Sequence, residues 1–136
     1  MKLDLIVEQL KKDEGFAPQS FWDNEQWTWG FGTKAPGPGA FISKVDGEKE
    51  LIARTKVAIE DFYSIFKGVD MSEVRQHAFV NMAYNLGETK LRKFKKMVAA
   101  VKALEWGEAA FQAVQSGWYK QVPRRAQRIV LEILEG

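Results

Sequence analysis

Residues 13–34 read D-E-G-F-A-P-Q-S-F-W-D-N-E-Q-W-T-W-G-F-G-T-K. Two patterns meet in this stretch. Upstream, Leu3, Ile6, Val7 and Leu10 fall at i, i+3, i+4 and i+7, one face of a helix over 3–13, and Gly15 stands where that helix would stop. Downstream, Trp27, Trp29 and Phe31 alternate with Thr28, Gly30 and Gly32, a period of two that predicts a strand. With F-W-D-N-E-Q before it, the segment predicts a hairpin or a small three-stranded sheet. The run A-P-G-P-G-A (35–40) suits neither helix nor strand and ends the β region.

Beyond the sheet the patterning is helical. Ser43 reads as an N-cap, with Asp46 and Glu48 in the first turn, where acids complement the helix dipole. The helix it opens, about 44–67, carries Leu51, Ile52, Ile59, Phe62, Tyr63 and Phe66 on one broad face and ends near Gly68. A third helix starts near Asp70 or Ser72 and runs to Gly87. Its apolar residues lie nearly all round, so it is expected to be the most buried. Shorter helices are expected around 94–104 and 105–114, and a last one after Pro123, a residue suited to a first helical position. Helix, small β region, long helix and helical cluster together predict an α+β protein, mostly helical, with its sheet in the N-terminal third.

Composition narrows the function classes. A chain of 136 residues supports one domain. With no cysteine, neither a disulfide framework nor a thiolate metal site is available, and a single histidine, His77, makes a zinc site improbable. The N-terminal segment M-K-L-D-L-I-V-E-Q-L-K-K has no apolar run longer than L-I-V, so neither a signal peptide nor a membrane insertion is expected. Net charge is +2, but residues 1–84 hold ten Lys/Arg against thirteen Asp/Glu, and residues 85–136 hold ten against five. That asymmetry reads either as a solvated helical surface or as a basic half facing a polyanion, nucleic acid or an anionic cell wall.

Glu14 ends the first helix and Asp23 sits on the near strand, with eight residues between them. A hairpin returning to the helix end would set the two carboxylates across a cleft. Such a pair suits glycoside hydrolysis: one protonated carboxyl donates to the leaving oxygen, and the other, ionised, activates water or stabilises charge at the anomeric carbon. Thr28 is placed to hold a water beside Asp23, and Gly30 and Gly32 would admit a sugar close to the backbone. Spacing alone leaves the plainer alternative open, that both acids serve the turns they lie near.

D-E-G-F, F-W-D and W-T-W-G-F-G-T-K together resemble the active-site signature of the phage-type lysozymes, the muramidases of the T4 and lambdoid-phage endolysin group. Further along, A-F-V-N-M-A-Y-N-L-G-E-T (78–89) resembles that family's central buried helix. E-W-G-E-A-A (105–110) and S-G-W-Y-K-Q-V-P-R-R-A-Q-R (116–128) resemble its C-terminal signature. The likeness runs in the family's order over roughly residues 3–130. It implies a lysozyme-like two-lobed fold in a single domain over 1–136. The β-containing lobe would span about 14–45 and the connecting helix about 44–67, and a helical lobe over 70–136 would take in the 1–13 helix.

The resemblance implies a hydrolase of the β-1,4 bond between N-acetylmuramic acid and N-acetylglucosamine. Glu14 would be the general acid, and Asp23 and Thr28 would position the attacking water in an inverting reaction without metal or cofactor. Arg125 would support Glu14, while Gly32, Thr33, Tyr84 and Asn85 would contact the sugar. For Tyr84 and Asn85 a purely structural place in a buried helix is the alternative; Asn81 reads as a structural polar group bonded to backbone, and Trp106 and Trp118 as core. The implied partner is the glycan strand of peptidoglycan, with no nucleic acid and a monomeric protein. A protein made in the cytoplasm would then reach the wall by holin-type release or by injection.

Two departures stand out. Four residues, N-E-Q-W, separate Asp23 from Thr28 where the family usually has about five, and a one-residue slip turns a strand side chain to the other face. Asp23 would then be displaced, with Glu25 the conceivable substitute, and the chain would be a peptidoglycan-binding or partner-binding domain with lost catalysis. After G-x-G many relatives carry His where this chain has Thr33, which removes a structural contact.

Overall fold

The computed structural model describes residues 1–136. They group into two compact units, residues 2–57 and residues 58–136 with Met1.

In the first unit, α1 (Leu3–Glu14) buries Ile6, Val7 and Leu10, the face its spacing foretold, and stops at Gly15, whose N–H bonds to the Lys11 carbonyl at 3.0 Å. An antiparallel sheet follows, ordered β1 (Ala17–Trp22), β2 (Trp27–Gly30), β3 (Thr33–Lys34). Trp22 lies opposite Trp27, Phe21 opposite Thr28, Thr28 opposite Lys34, and Trp29 opposite Thr33, with a register shift between Ala17 and Phe21. Directly opposed residues share a face. One face therefore carries Trp22, Trp27, Trp29 and Thr33, and the other Phe21, Thr28 and Lys34. The proline-glycine run ends the ladder, and Phe41 returns for a single bridge to Gln19.

The helix α2 (Lys44–Ile65) opens as expected, with Ser43 Oγ accepting from the Asp46 N–H at 3.1 Å. Its Gly47 is required by packing. A Cβ there would lie 2.8 Å from Phe16 Cε1, and the Phe16 ring in turn packs on Phe31 with centroids 5.3 Å apart. The helix over 1–13, expected to accompany residues 70–136, groups instead with the sheet. Lys11 bridges Glu48 of α2 at 3.3 Å, and Leu10 and Leu51 are both wholly buried. The boundary between the units falls inside α2, between Val57 and Ala58.

The second unit is helical. After the end of α2 come α3 (Glu73–Leu86), α4 (Glu88–Arg92), α5 (Lys95–Lys102), α6 (Trp106–Val114), α7 (Gly117–Gln121) and α8 (Pro123–Glu135). Ser72 caps α3 by accepting from the Arg75 N–H at 3.2 Å, and every residue from Ala78 to Tyr84 is buried, so α3 is the most buried helix of the chain, as its all-round apolar pattern implied. Phe62, Phe66 and Phe79 stack in a row with centroids 5.6 and 4.8 Å apart, which joins the end of α2 to α3. Helix α6 packs on α5 and α8, and α3 packs on α8. Two five-residue helices, α4 and α7, were not anticipated, because five residues are too few to show a helical period.

The last carbonyls of α8 have no partner within the helix, and a cation there also meets the negative end of the dipole. Arg75 of α3 supplies both contributions. Its Nε donates to the Ile133 carbonyl at 2.7 Å and its Nη2 to that of Leu134 at 3.0 Å, while the guanidinium lies over the Trp106 ring at 4.2 Å. Replacing Arg75 with Ala removes two charge-assisted bonds and a cation–π contact, and is expected to cost about 2 kcal/mol. Urea denaturation checks this as a lowered midpoint at an unchanged slope.

Candidate active site

Asp23 leads the four-residue loop between β1 and β2, and Asn24, the next residue, takes the left-handed conformation at φ +79° that asparagine tolerates. The Asp23 carboxylate closes this loop. Its Oδ1 accepts from the backbone N–H of Glu25 at 2.9 Å and of Gln26 at 2.8 Å, and its Oδ2 accepts from Thr28 Oγ1 at 2.7 Å. The shortened turn therefore brings Asp23 and Thr28 together, and Asp23 occupies the Thr28 position that Glu25 would have had to fill.

Burial opposes ionisation of Asp23, but the bonds from Thr28, Gln26 and Glu25 outweigh it and hold the carboxyl below its ordinary value. Asp23 is thus ionised at neutral pH. Because the Thr28 hydroxyl donates to Asp23, its oxygen lone pairs are left to accept from a water.

Glu14, half-buried at the end of α1, comes up against the turn between β2 and β3. Gly32 there has φ +80°, and a Cβ on it would lie 2.5 Å from Glu14 Oε1 and 2.9 Å from Cδ. Only glycine meets both demands, a left-handed backbone and room for the carboxylate. Thr33, expected at the sugar, is 7% exposed, and its hydroxyl donates to Glu50 Oε1 at 2.6 Å; the same oxygen accepts from Trp29 Nε1 at 2.9 Å. Glu50, on α2, was missed by sequence reasoning. It fixes β2 and β3 to the helix, so Thr33 supplies a structural contact where loss of the histidine had been expected to remove one.

Glu14, Asp23, Thr28, Gly32 and Thr33 all belong to residues 2–57, whereas Tyr84, Asn85 and Arg125 belong to residues 58–136. Tyr84 is buried, and Asn85 Oδ1 accepts from Trp118 Nε1 at 2.8 Å. Arg125 is buried rather than a surface charge, and its Nε donates to Asn81 Oδ1 at 2.7 Å. The side chain of Asn81, read from sequence as a partner for backbone, thus holds the buried arginine. Trp118 is core, whereas Trp106 is only half-buried beneath Arg75.

Two outcomes follow from this geometry. Gly32→Ala forces a side chain into the left-handed region and onto Glu14, and is expected to destabilise the protein by about 1–3 kcal/mol, read by thermal or urea unfolding. Asp23 has a folded-state pKa below its unfolded value of 3.8, so its stabilisation is fully present above that value and is lost as pH falls through the folded one. Asp23→Asn should therefore flatten the acid limb of the urea midpoint measured below pH 3.8.

Comparison with known proteins bears on the whole arrangement. The chain is 26% identical to the pre-baseplate central spike protein Gp5 of Enterobacteria phage T4, over 96% of this chain and 28% of that protein. It is 32% identical to the probable T4-type lysozyme 1 of Dictyostelium discoideum, over 65% of this chain and 52% of that protein. With the probable T4-type lysozyme 2 of the same organism it shares 31% identity, over 49% of this chain and 38% of that protein. The chain thus spans about half or less of the length of these curated relatives. The family model described as phage lysozyme matches residues 11–130. From the Glu14 turn through the Asp23–Thr28 pair to the start of α8, this chain belongs to the phage lysozyme family.

Proposed function

We propose that the protein is a muramidase that hydrolyses the β-1,4 bond between N-acetylmuramic acid and N-acetylglucosamine in peptidoglycan, with inversion at the anomeric carbon. The observation that carries this reading is the 2.7 Å bond from Thr28 to an Asp23 held ionised by its own turn. Family membership supports the substrate class.

In this mechanism Glu14 enters protonated and gives its proton to the glycosidic oxygen as the bond to the anomeric carbon breaks. A water held by Asp23 and Thr28 attacks the opposite side of that carbon and loses a proton to Asp23. The cycle leaves Glu14 ionised and Asp23 protonated, and exchange with solvent restores both. A carboxyl whose pKa is lowered is a weak base. Asp23 therefore acts first by orienting the water and by stabilising the positive charge that develops on the sugar, and takes the proton late. Arg125, buried and held by Asn81, would support the acid, and Gly32, Thr33, Tyr84 and Asn85 would shape the sugar site, with Thr33 acting through Glu50. No metal or cofactor takes part. The protein would work as a monomer at the bacterial cell wall, delivered from the cytoplasm by holin-type release or injection.

The test is release of reducing ends from purified cell walls. Glu14→Gln is expected to lower the rate by about 100-fold or more, and Asp23→Asn to lower kcat with little change in KM. Proton NMR of the first product formed should show the α-anomer. Equal, background-level rates for wild type and Glu14→Gln would leave a peptidoglycan-binding domain without turnover, and the β-anomer would replace inversion by a retaining route.

A further inference from the structure

The strand register sets one large exposed aromatic side chain, Phe21, beside the buried Thr28 of the Asp23–Thr28 pair, and a second, Phe41, lies across the other edge of β1. Phe21 is directly opposite Thr28, so the two side chains stand next to each other on one face. Asp23 reaches Thr28 Oγ1 and belongs to the same face. Gln19, two residues before Phe21 and within the stretch where the register shifts, pairs with Phe41 across the other edge of β1. Ser20, between Gln19 and Phe21, is buried at 8%, whereas Phe21 is 46% and Phe41 71% exposed.

Trp22 is also exposed, at 55%, but it projects to the opposite face and stands edge-on to Trp27, with centroids 5.8 Å apart. Phe21 is therefore the exposed aromatic ring next to the proposed water site, and Phe41 lies beyond it at the Gln19 bridge. Leaving large apolar side chains in water forgoes burial that either could have found in the core, and such exposure next to polar groups marks a ligand surface.

The chemistry of the face selects its occupant. A pyranose has one face of C–H bonds, which lies flat on an aromatic ring, and a rim of hydroxyls, which needs donors and acceptors. Phe21 offers the first, and Gln19, Thr28 and Asp23 offer the second in the adjoining positions. The carboxylates of Asp23 and Glu25 in the same loop disfavour an anionic lipid surface or a nucleic acid.

We propose that Phe21 is a stacking platform for a pyranose ring of the glycan strand next to the Asp23–Thr28 water site, and that Phe41 extends the platform along the strand. This rests on the muramidase reading and adds to it the residue that holds the sugar in register. A platform of this kind binds ground state and transition state alike, so it acts on KM rather than on kcat.

The experiment uses soluble, uncross-linked glycan strands prepared from peptidoglycan. Phe21→Ala is expected to raise KM about 5- to 10-fold with kcat within about twofold, as for loss of one aromatic contact. Phe21→Trp should keep KM near wild type, Phe41→Ala should raise it by a smaller factor, and Trp22→Ala on the opposite face should leave it unchanged. A KM for Phe21→Ala within about twofold of wild type, or an equal rise for Trp22→Ala, overturns the proposal. Strand binding to Glu14→Gln, with and without Phe21→Ala, is titrated in parallel. There, equal dissociation constants overturn it and a weaker one with Phe21→Ala supports it. Background-level hydrolysis by wild type would defeat the muramidase reading alone, since the titration still decides the platform.

Discussion

The Asp23 carboxylate is the constraint on which the proposed chemistry depends. It does three things with two oxygens: it satisfies two N–H groups of its own loop, it takes the hydroxyl of Thr28, and through these bonds it stays ionised. Closing the loop holds Trp22 opposite Trp27 and Phe21 opposite Thr28, and that register decides which side chains share a face next to the loop. One carboxylate therefore links the turn, the strand pairing beside it and the proposed water site. A four-residue loop suffices because Asn24 accepts a left-handed backbone.

Around that centre, close packing replaces designed flexibility. Glu14 lies against Gly32 with no room for a Cβ, and Phe16 lies against Gly47 in the same way, so two glycines far apart in sequence let α1, the sheet and α2 approach one another. Glu50 adds a polar tie, holding Trp29 and Thr33 with a single oxygen. These contacts give Glu14, Asp23 and Thr28 a packed support, which the proposed placement of a proton donor and a water requires.

Two of the polar contacts inside the helical unit join side chains far apart in sequence. Arg125 would be costly in the core alone, and Asn81 meets it from the most buried stretch of α3, while Asn85 one turn on receives the Trp118 indole. Arg75 neutralises the exposed carbonyls at the end of α8. The motifs that resembled the family in this half, N-M-A-Y-N-L and W-Y-K-Q-V-P-R-R-A, are thus in part a set of side chains that answer one another across 33 to 44 residues.

The helices with clear faces, their stops at Gly15 and Gly87, the cap at Ser43, a helix start near Asp70 or Ser72, the helix start at Pro123 and the period-two strand around Trp27 were legible in the chain. Each is set by residues within a turn or two of one another, where local sterics and capping bonds decide. Glu14, Asp23 and Thr28 could be nominated from their types and spacing, but not oriented. Tertiary structure decided that the short loop turns Asp23 onto Thr28 and that Thr33 and Glu50 belong together. It decided likewise that Asn81 serves Arg125 and that α1 groups with the sheet. Each of those outcomes turns on a partner distant in sequence or on the register of a strand. No local pattern encodes either, because both follow from which surfaces bury each other once the chain has collapsed.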